Sequence, residues 1–182
     1  MIETERLLVR PWRDGDAAPF AAINAEPEVR RYLGTAGSRE ESDAAIARQR
    51  ALQAELGHCF WALERKEDCA LLGFCGLKPG VPETPIADDL EIGWRLGPAY
   101  WGRGYAREAA SACLAWAFGR LDVPRVVAIT VPDNARSWGL MERLGMIRRT
   151  DLDFLHPALP EGHPLRFHIG YAADPPRAPG PA

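Results

Sequence analysis

The stretch Gly97–Ala110, GPAYWGRGYAREAA, joins a cationic, glycine-rich turn to an alanine-rich run of helical composition. Gly97 and Pro98 end a preceding extended segment. Gly102 and Gly104 let the backbone bend tightly and put no side chain in the way. Arg103 adds positive charge. A helix start presents unpaired N–H groups and a partial positive charge, so a turn of this kind suits a phosphate. A bare G-x-G also occurs in ordinary strand-to-helix loops, so the flanking sequence has to decide.

Immediately upstream, LEIGWRL (Leu90–Leu96) reads as a strand. Downstream, a helix is predicted from about Tyr105 to Phe118. It carries Ala106, Ala110, Cys113 and Ala117 at helical spacing, and small residues on that stripe let it lie close against a sheet. RVVAITV (Arg125–Val131) is β-branched and nearly all apolar, as expected of a buried parallel strand. Strand, helix and strand make a right-handed βαβ unit. Asn134 is placed to cap a following helix, ARSWGLMERL, which Gly145 ends.

Further out, RLLVRPW (Arg6–Trp12) reads as a first strand closed by Pro11, and Asp14 and Asp16 offer N-caps for a short helix. Ser38 and Glu41 form a capping-box pattern before a helix reaching about Leu56, stopped by Gly57. CFWALERK and ALLGFCGLKP read as a hairpin turning near Glu67 and Asp68. MIRRTDLDFL and LRFHIGYAA close the domain as two further strands. The order gives an α+β fold around one mostly antiparallel sheet with one parallel pair at its middle.

The chain has 182 residues and net charge −3, enough for one domain with a core and without the basic field of a general nucleic-acid binder. No apolar run is long enough to span a bilayer, and the start lacks a signal-peptide core. Cys59, Cys69, Cys75 and Cys113 show no C-x-x-C spacing and read as reduced thiols of a cytoplasmic protein. The tail from Asp174, DPPRAPGPA, is expected to be disordered or loosely attached. His163 and His168 fall five apart on a predicted strand and point to opposite faces, while His58 and His156 stand isolated, so no metal is expected.

EIGWRLGPAYWGRGYAREA and VPDNARSWGLMERLGM together resemble the GNAT N-acetyltransferase superfamily, and within it the RimJ/RimL type that modifies protein N-terminal amines. The resemblance spans nearly the whole chain, from TERLLVRP to FHIGYAAD. The first segment is similar to the acetyl-CoA motif Q/R-x-x-G-x-G/A, with Gly104 and Ala106 at the last two marked positions. Trp101 stands where Gln or Arg is usual, and YWGRGYA is a common form in the RimJ/RimL branch. The second is similar to the pantetheine and leaving-group segment, N-x-x-S followed by a helix ending in E-R-L-G.

The resemblance implies a GNAT-like central, mostly antiparallel mixed sheet with a splayed parallel strand pair, flanked by helices. It implies an acetyltransferase domain over residues 1–173 with a flexible Pro-rich tail over 174–182. Acetyl-CoA is the implied cosubstrate, with no metal. Its pyrophosphate would lie on the turn Trp101, Gly102, Arg103, Gly104, Tyr105 and Ala106, through the backbone N–H groups of the last four. Arg103 and Arg107 would add charge near the nucleotide end, or stand as surface arginines. Ile92, Trp94 and Leu96 would line the thioester arm, and Asn134 and Ser137 would contact pantetheine. Asn134 is equally a simple helix cap.

One chemical hint is independent of the resemblance. A strand in the parallel middle of a sheet should be apolar on both faces, yet Glu91, Gly93 and Arg95 share one face of Leu90–Leu96. Glu91 and Arg95 lie about 13 Å apart along a strand and cannot simply neutralise each other. Such inconsistencies concentrate at functional sites, and Gly93 between them is expected to mark a bulge or the close approach of a ligand. Glu91 is thereby the candidate base for an amine, working through water. A backbone N–H near Ile92–Trp94 would polarise a thioester carbonyl. The resemblance implies the other catalytic group: many family members place a tyrosine acid seven residues after the Asn, that position is Met141 here, and Ser137 is the candidate thiol-side acid, as in the RimJ/RimL branch.

The expected activity is acetyl transfer from acetyl-CoA to an amine, either a peptide N-terminus or a small molecule. Glu83, Asp88, Asp89 and Glu91 favour a cationic acceptor, or are ordinary loop residues. The competing class is a non-catalytic acyl-CoA-binding sensor, which would need neither Glu91 nor Ser137. A P-loop hydrolase is excluded by the missing G-K-[ST]. Nucleic acid and membrane are not expected partners, and the protein is expected to be a cytoplasmic monomer or homodimer.

Overall fold

The computed structural model describes residues 1–34 and 37–176. Strands run β1 Ile2–Glu3, β2 Leu7–Arg10, β3 Phe60–Arg65, β4 Leu71–Pro79, β5 Leu90–Leu96, β6 Val126–Thr130, β7 Ile147–Leu155 and β8 Phe167–Ala173. Helices run α1 Ala17–Ala25, α2 Pro27–Arg30, α3 Arg39–Leu56, α4 Tyr105–Arg120 and α5 Ala135–Arg143. All the strands join one sheet in the order β1-β2-β3-β4-β5-β6-β8-β7. Every neighbour pair is antiparallel except β5 and β6, so the expected α+β architecture is the one found. Strand β1 has two residues, too few to leave a periodic signal in sequence. The tail expectation falls on 177–182 for the most part, outside the described residues. No helix among the described residues is long and apolar enough to cross a membrane.

Local chemistry accounts for most boundaries. The Ser38 hydroxyl accepts the Glu41 N–H at 3.1 Å, and the Glu41 carboxylate accepts the Ser38 N–H at 3.1 Å, so both orphan donors at the start of α3 are satisfied. Gly57 ends α3 with φ +76°, where a side chain would be strained. The β3–β4 hairpin closes with the Arg65 N–H on the Ala70 carbonyl.

The expectation for Asp14 and Asp16 needs correction. They form a single 3₁₀ turn, and Asp16 makes no side-chain cap on α1. Its carboxylate instead takes Arg10 at 2.7 and 2.8 Å and the Arg13 N–H at 2.7 Å. Arg10 also donates to Glu64 at 2.7 Å. All three side chains are buried, and a buried carboxylate follows a guanidinium before it follows a helix end.

Neighbouring residues of β4 show how the layers stack. Phe74 meets Phe20 of α1, while Cys75 meets Cys113 of α4. Helix α1 therefore covers one face of the sheet and α4 the other. The small stripe of α4 works as expected: Ala110, Cys113 and Ala117 are fully buried.

One irregularity positions everything that follows. β5 and β6 pair only at Leu90 with Val126 and Glu91 with Val127. β5 then runs on to Leu96 and β6 to Thr130 without pairing, so the two strands part in the middle of the sheet.

Candidate active site

A cavity of about 240 Å³ opens where the strands part. Glu91, Ile92, Gly93 and Trp94 line one side, and Ile129, Thr130 and Val131 the other. Asn134, Ser137 and Met141, from the start and inner face of α5, reach the same space. Five of the candidate residues, Glu91, Ile92, Trp94, Asn134 and Ser137, are thus brought together from segments forty positions apart in sequence.

Leu96 and the turn lie beyond the cavity, at the C-terminal end of β5. Gly102 has φ +73° and Gly104 φ +81°, both left-handed, which explains two glycines there. A Cβ at 102 would meet nothing, and one at 104 only the tip of Arg6, so the space over the turn is open. Among the described residues no acceptor takes the N–H groups of Arg103, Gly104, Tyr105 or Ala106. Such an array fits an anion. Trp101 has a tethering part: its indole donates to the Leu96 carbonyl at 2.7 Å, and Arg136 covers its ring at 4.7 Å.

Arg6 was not anticipated at this end. Its guanidinium donates to the Arg103 carbonyl at 3.0 Å, binds Glu108 at 2.6 Å and lies 4.6 Å over the Tyr105 ring. It arrives from the other end of the sheet order, which no local pattern reveals.

Glu91 is buried, and Lys78 of the paired strand reaches its Oε2 at 2.5 Å. Oε1 takes no bond from a described residue. Burial pushes the Glu91 carboxyl above its ordinary value, and the Lys78 ammonium offsets part of that rise. Gly93 lines the cavity, and a Cβ there would come within 2.6 Å of the Phe60 ring, so the glycine makes room for Phe60. Arg95 is absorbed structurally: it donates to Asn24 at 2.9 Å and lies 5.2 Å over Phe74. Burial without a carboxylate partner pulls its guanidinium down to about 10.

Of the two readings of the acidic loop, ordinary loop residues is the one that fits Glu83, Asp88 and Asp89. Asp89 is held by Arg125 at 2.7 and 2.8 Å, and Glu83 and Asp88 are exposed and away from the lining. Asn134 sits at the start of α5 but makes no side-chain cap. Its Nδ2 donates to Thr130 Oγ1 at 3.1 Å, which leaves the amide oxygen for another donor. Met141 is buried against the cavity and has no proton to give.

The histidines also need correction. His163 is not on a strand, whereas His156 and His168 lie with ring centroids 5.0 Å apart and both line the cavity. Phe154 stacks on His168 at 5.9 Å. Burial lowers both histidines from their ordinary value, and each would repel a charge on the other. No local pattern in the sequence pairs them; the β7–β8 register, which sets Phe154 opposite His168, brings them together.

Comparison with known proteins agrees with this geometry. The family described as "Acetyltransferase (GNAT) domain" matches residues 6–147. The uncharacterized N-acetyltransferase YoaA of Bacillus subtilis is 31% identical over 147 residues, covering 80% of this chain and 81% of YoaA. YnaD of the same organism, also an uncharacterized N-acetyltransferase, is 29% identical over 162 residues, 89% of each chain. The crystal structure of an acetyltransferase from Agrobacterium tumefaciens superimposes with TM-score 0.76 at 28% identity, covering 94% of this chain and 92% of that one. The match runs through the parted strands, the glycine turn and α5, and by it the chain belongs to the GNAT acetyltransferase family.

Proposed function

We propose that the chain is a RimJ/RimL-like N-acetyltransferase, with residues 1–173 as its domain, that moves an acetyl group from acetyl-CoA directly to an amine held in the same complex. The observation that carries this reading is the parting of β5 and β6 after Glu91, with Glu91 and Ser137 in the one cavity it creates. The YWGRGYA turn and the N-x-x-S start of α5 support the RimJ/RimL assignment.

Acetyl-CoA supplies an activated thioester carbonyl. The N–H groups of Arg103, Gly104, Tyr105 and Ala106 hold its pyrophosphate, and the free oxygen of Asn134 accepts a pantetheine N–H. The unpaired lips of β5, lined by Ile92 and Trp94, take the arm. Glu91, paired with Lys78, takes the proton of the acceptor amine, and burial, which raises its carboxyl, makes it a stronger base than an exposed glutamate. Ser137 gives a proton to the departing thiolate. Free-thiol release from acetyl-CoA over a panel of N-terminal peptides and small amines tests the reading. An acyl-CoA sensor would bind acetyl-CoA and release no thiol with any of them.

Ser137→Ala is expected to lower kcat about tenfold, below the ~10²–10⁴ usual for a general acid, because a thiolate leaves readily. Acetyl-CoA affinity should stay within about twofold. Turnover at the wild-type rate would return Ser137 to a packing role. Lys78→Met tests the pairing. Lys78 lowers the Glu91 pKa, so its loss raises it, and a base works only above its pKa. The acid limb of the kcat/KM profile should move to higher pH, and an unmoved limb would mean that Glu91 does not set it.

A further inference from the structure

The transfer cavity is not the end of the space. A second cavity of about 270 Å³ shares Tyr32, Leu33, His156 and His168 with it, so the two are neighbouring chambers that meet at these four residues, the histidine pair among them. The residues that line the second chamber alone are Gly34, Ala158, Leu159 and Leu165. Gly34 lies at its outer side: a Cβ there would come within 2.9 Å of the Leu159 side chain, so Gly34 and the β7–β8 connection pack directly on each other.

The charges facing this space are few. Glu91 is the single carboxylate among the described lining residues of either chamber, and Lys78 already holds it. The histidines add polarity without charge. His156 Nδ1 accepts the Ala158 N–H at 3.2 Å, which requires that nitrogen to be unprotonated. His168 Nδ1 faces the Arg166 carbonyl at 3.2 Å and donates to it. Burial favours the uncharged form of both rings. The outer chamber thus offers aromatic edges and aliphatic walls, and nothing among the described residues to balance a second cation. An apolar cavity of about 150 Å³ holds a benzene ring, so this one holds a ring with a short linker.

Resting on the transferase reading above, we propose that the outer chamber selects an acceptor whose primary amine is carried on an uncharged, apolar body of about one aromatic ring. A polyamine is a poor acceptor on this account, because its further cations enter a chamber without carboxylates.

Steady-state thiol release with acetyl-CoA and 2-phenylethylamine, ethylamine or spermidine tests the proposal, in the wild type and in Leu165→Asp. The expected kcat/KM for 2-phenylethylamine exceeds that for spermidine at least tenfold. Leu165→Asp should remove at least tenfold from 2-phenylethylamine while ethylamine, too short to pass the histidines, changes less than twofold. Retained ethylamine turnover also certifies that the variant is folded. If spermidine matches or exceeds 2-phenylethylamine in the wild type, the chamber does not select as proposed, whatever the variant does. No thiol release with any amine would instead overturn the transferase reading itself.

Discussion

Glu91→Gln lowers kcat by about 10²–10⁴ at neutral pH, the contribution of a general base. The amide keeps the shape of the side chain and loses the ability to take a proton. Oε2 of the native carboxylate is bound by Lys78, while Oε1 has no partner among the described residues and belongs to a side chain lining the cavity. The pH dependence separates this role from a purely attractive one. Wild-type Glu91 has its carboxyl raised by burial, so activity should fall with acid at a pH above the ordinary glutamate range. The glutamine variant should lack that limb. Its rate should climb as pH rises, because more of the acceptor amine then arrives unprotonated. A carboxylate that only attracts a cationic acceptor predicts a raised KM, an unchanged kcat and strong salt dependence. A pH series of kcat and kcat/KM with one acceptor distinguishes the two, and matching kcat values across the series would remove Glu91 from proton transfer. Thermal melts of both proteins should accompany it, because the change leaves Lys78 without its counter-ion.

Gly104→Glu should weaken acetyl-CoA binding at least thirtyfold, about 2 kcal/mol. Two effects add. At φ +81° a side chain crowds the backbone, so the turn is displaced from the geometry that aims its N–H groups outward. The new carboxylate also finds Arg6, whose Nη2 would lie 3.4 Å from the added Cβ, and settles over the turn as an internal anion in place of a phosphate. Gly104→Ala brings only the first effect and should lose less. Titration calorimetry on folded variants measures both. Unchanged affinity in the glutamate variant would defeat the assignment of the turn to a phosphate.

Local chemistry made much of the fold legible. The Ser38–Glu41 box, the stop at Gly57 and the apolar run before Val131 each name their element, because cap, turn and period depend on residues a few positions apart. The site was legible where a residue broke its local rule. Glu91 on a central strand was such a break, and it does line the cavity. The same rule singled out Arg95 and Gly93 without naming what they meet. Asn24 and Phe74 absorb the one, and Phe60 occupies the space beside the other; all three lie far away in sequence. His156 and His168 were missed for a related cause. Strand β7 shifts register between Arg149 and Phe154, so counting along the chain cannot tell which side chains meet across the hairpin.

The short contact between β5 and β6 has a mechanical meaning. With only two residue pairs joining them, the sheet is two lobes hinged on a pair of rungs, and the free edges of each lobe face one another across the gap. A guest with amide groups of its own, lying along those edges, would act as the missing staves. Whatever binds there in that way is also a structural member, and it stabilises the folded chain by an amount that grows with the logarithm of its concentration over Kd.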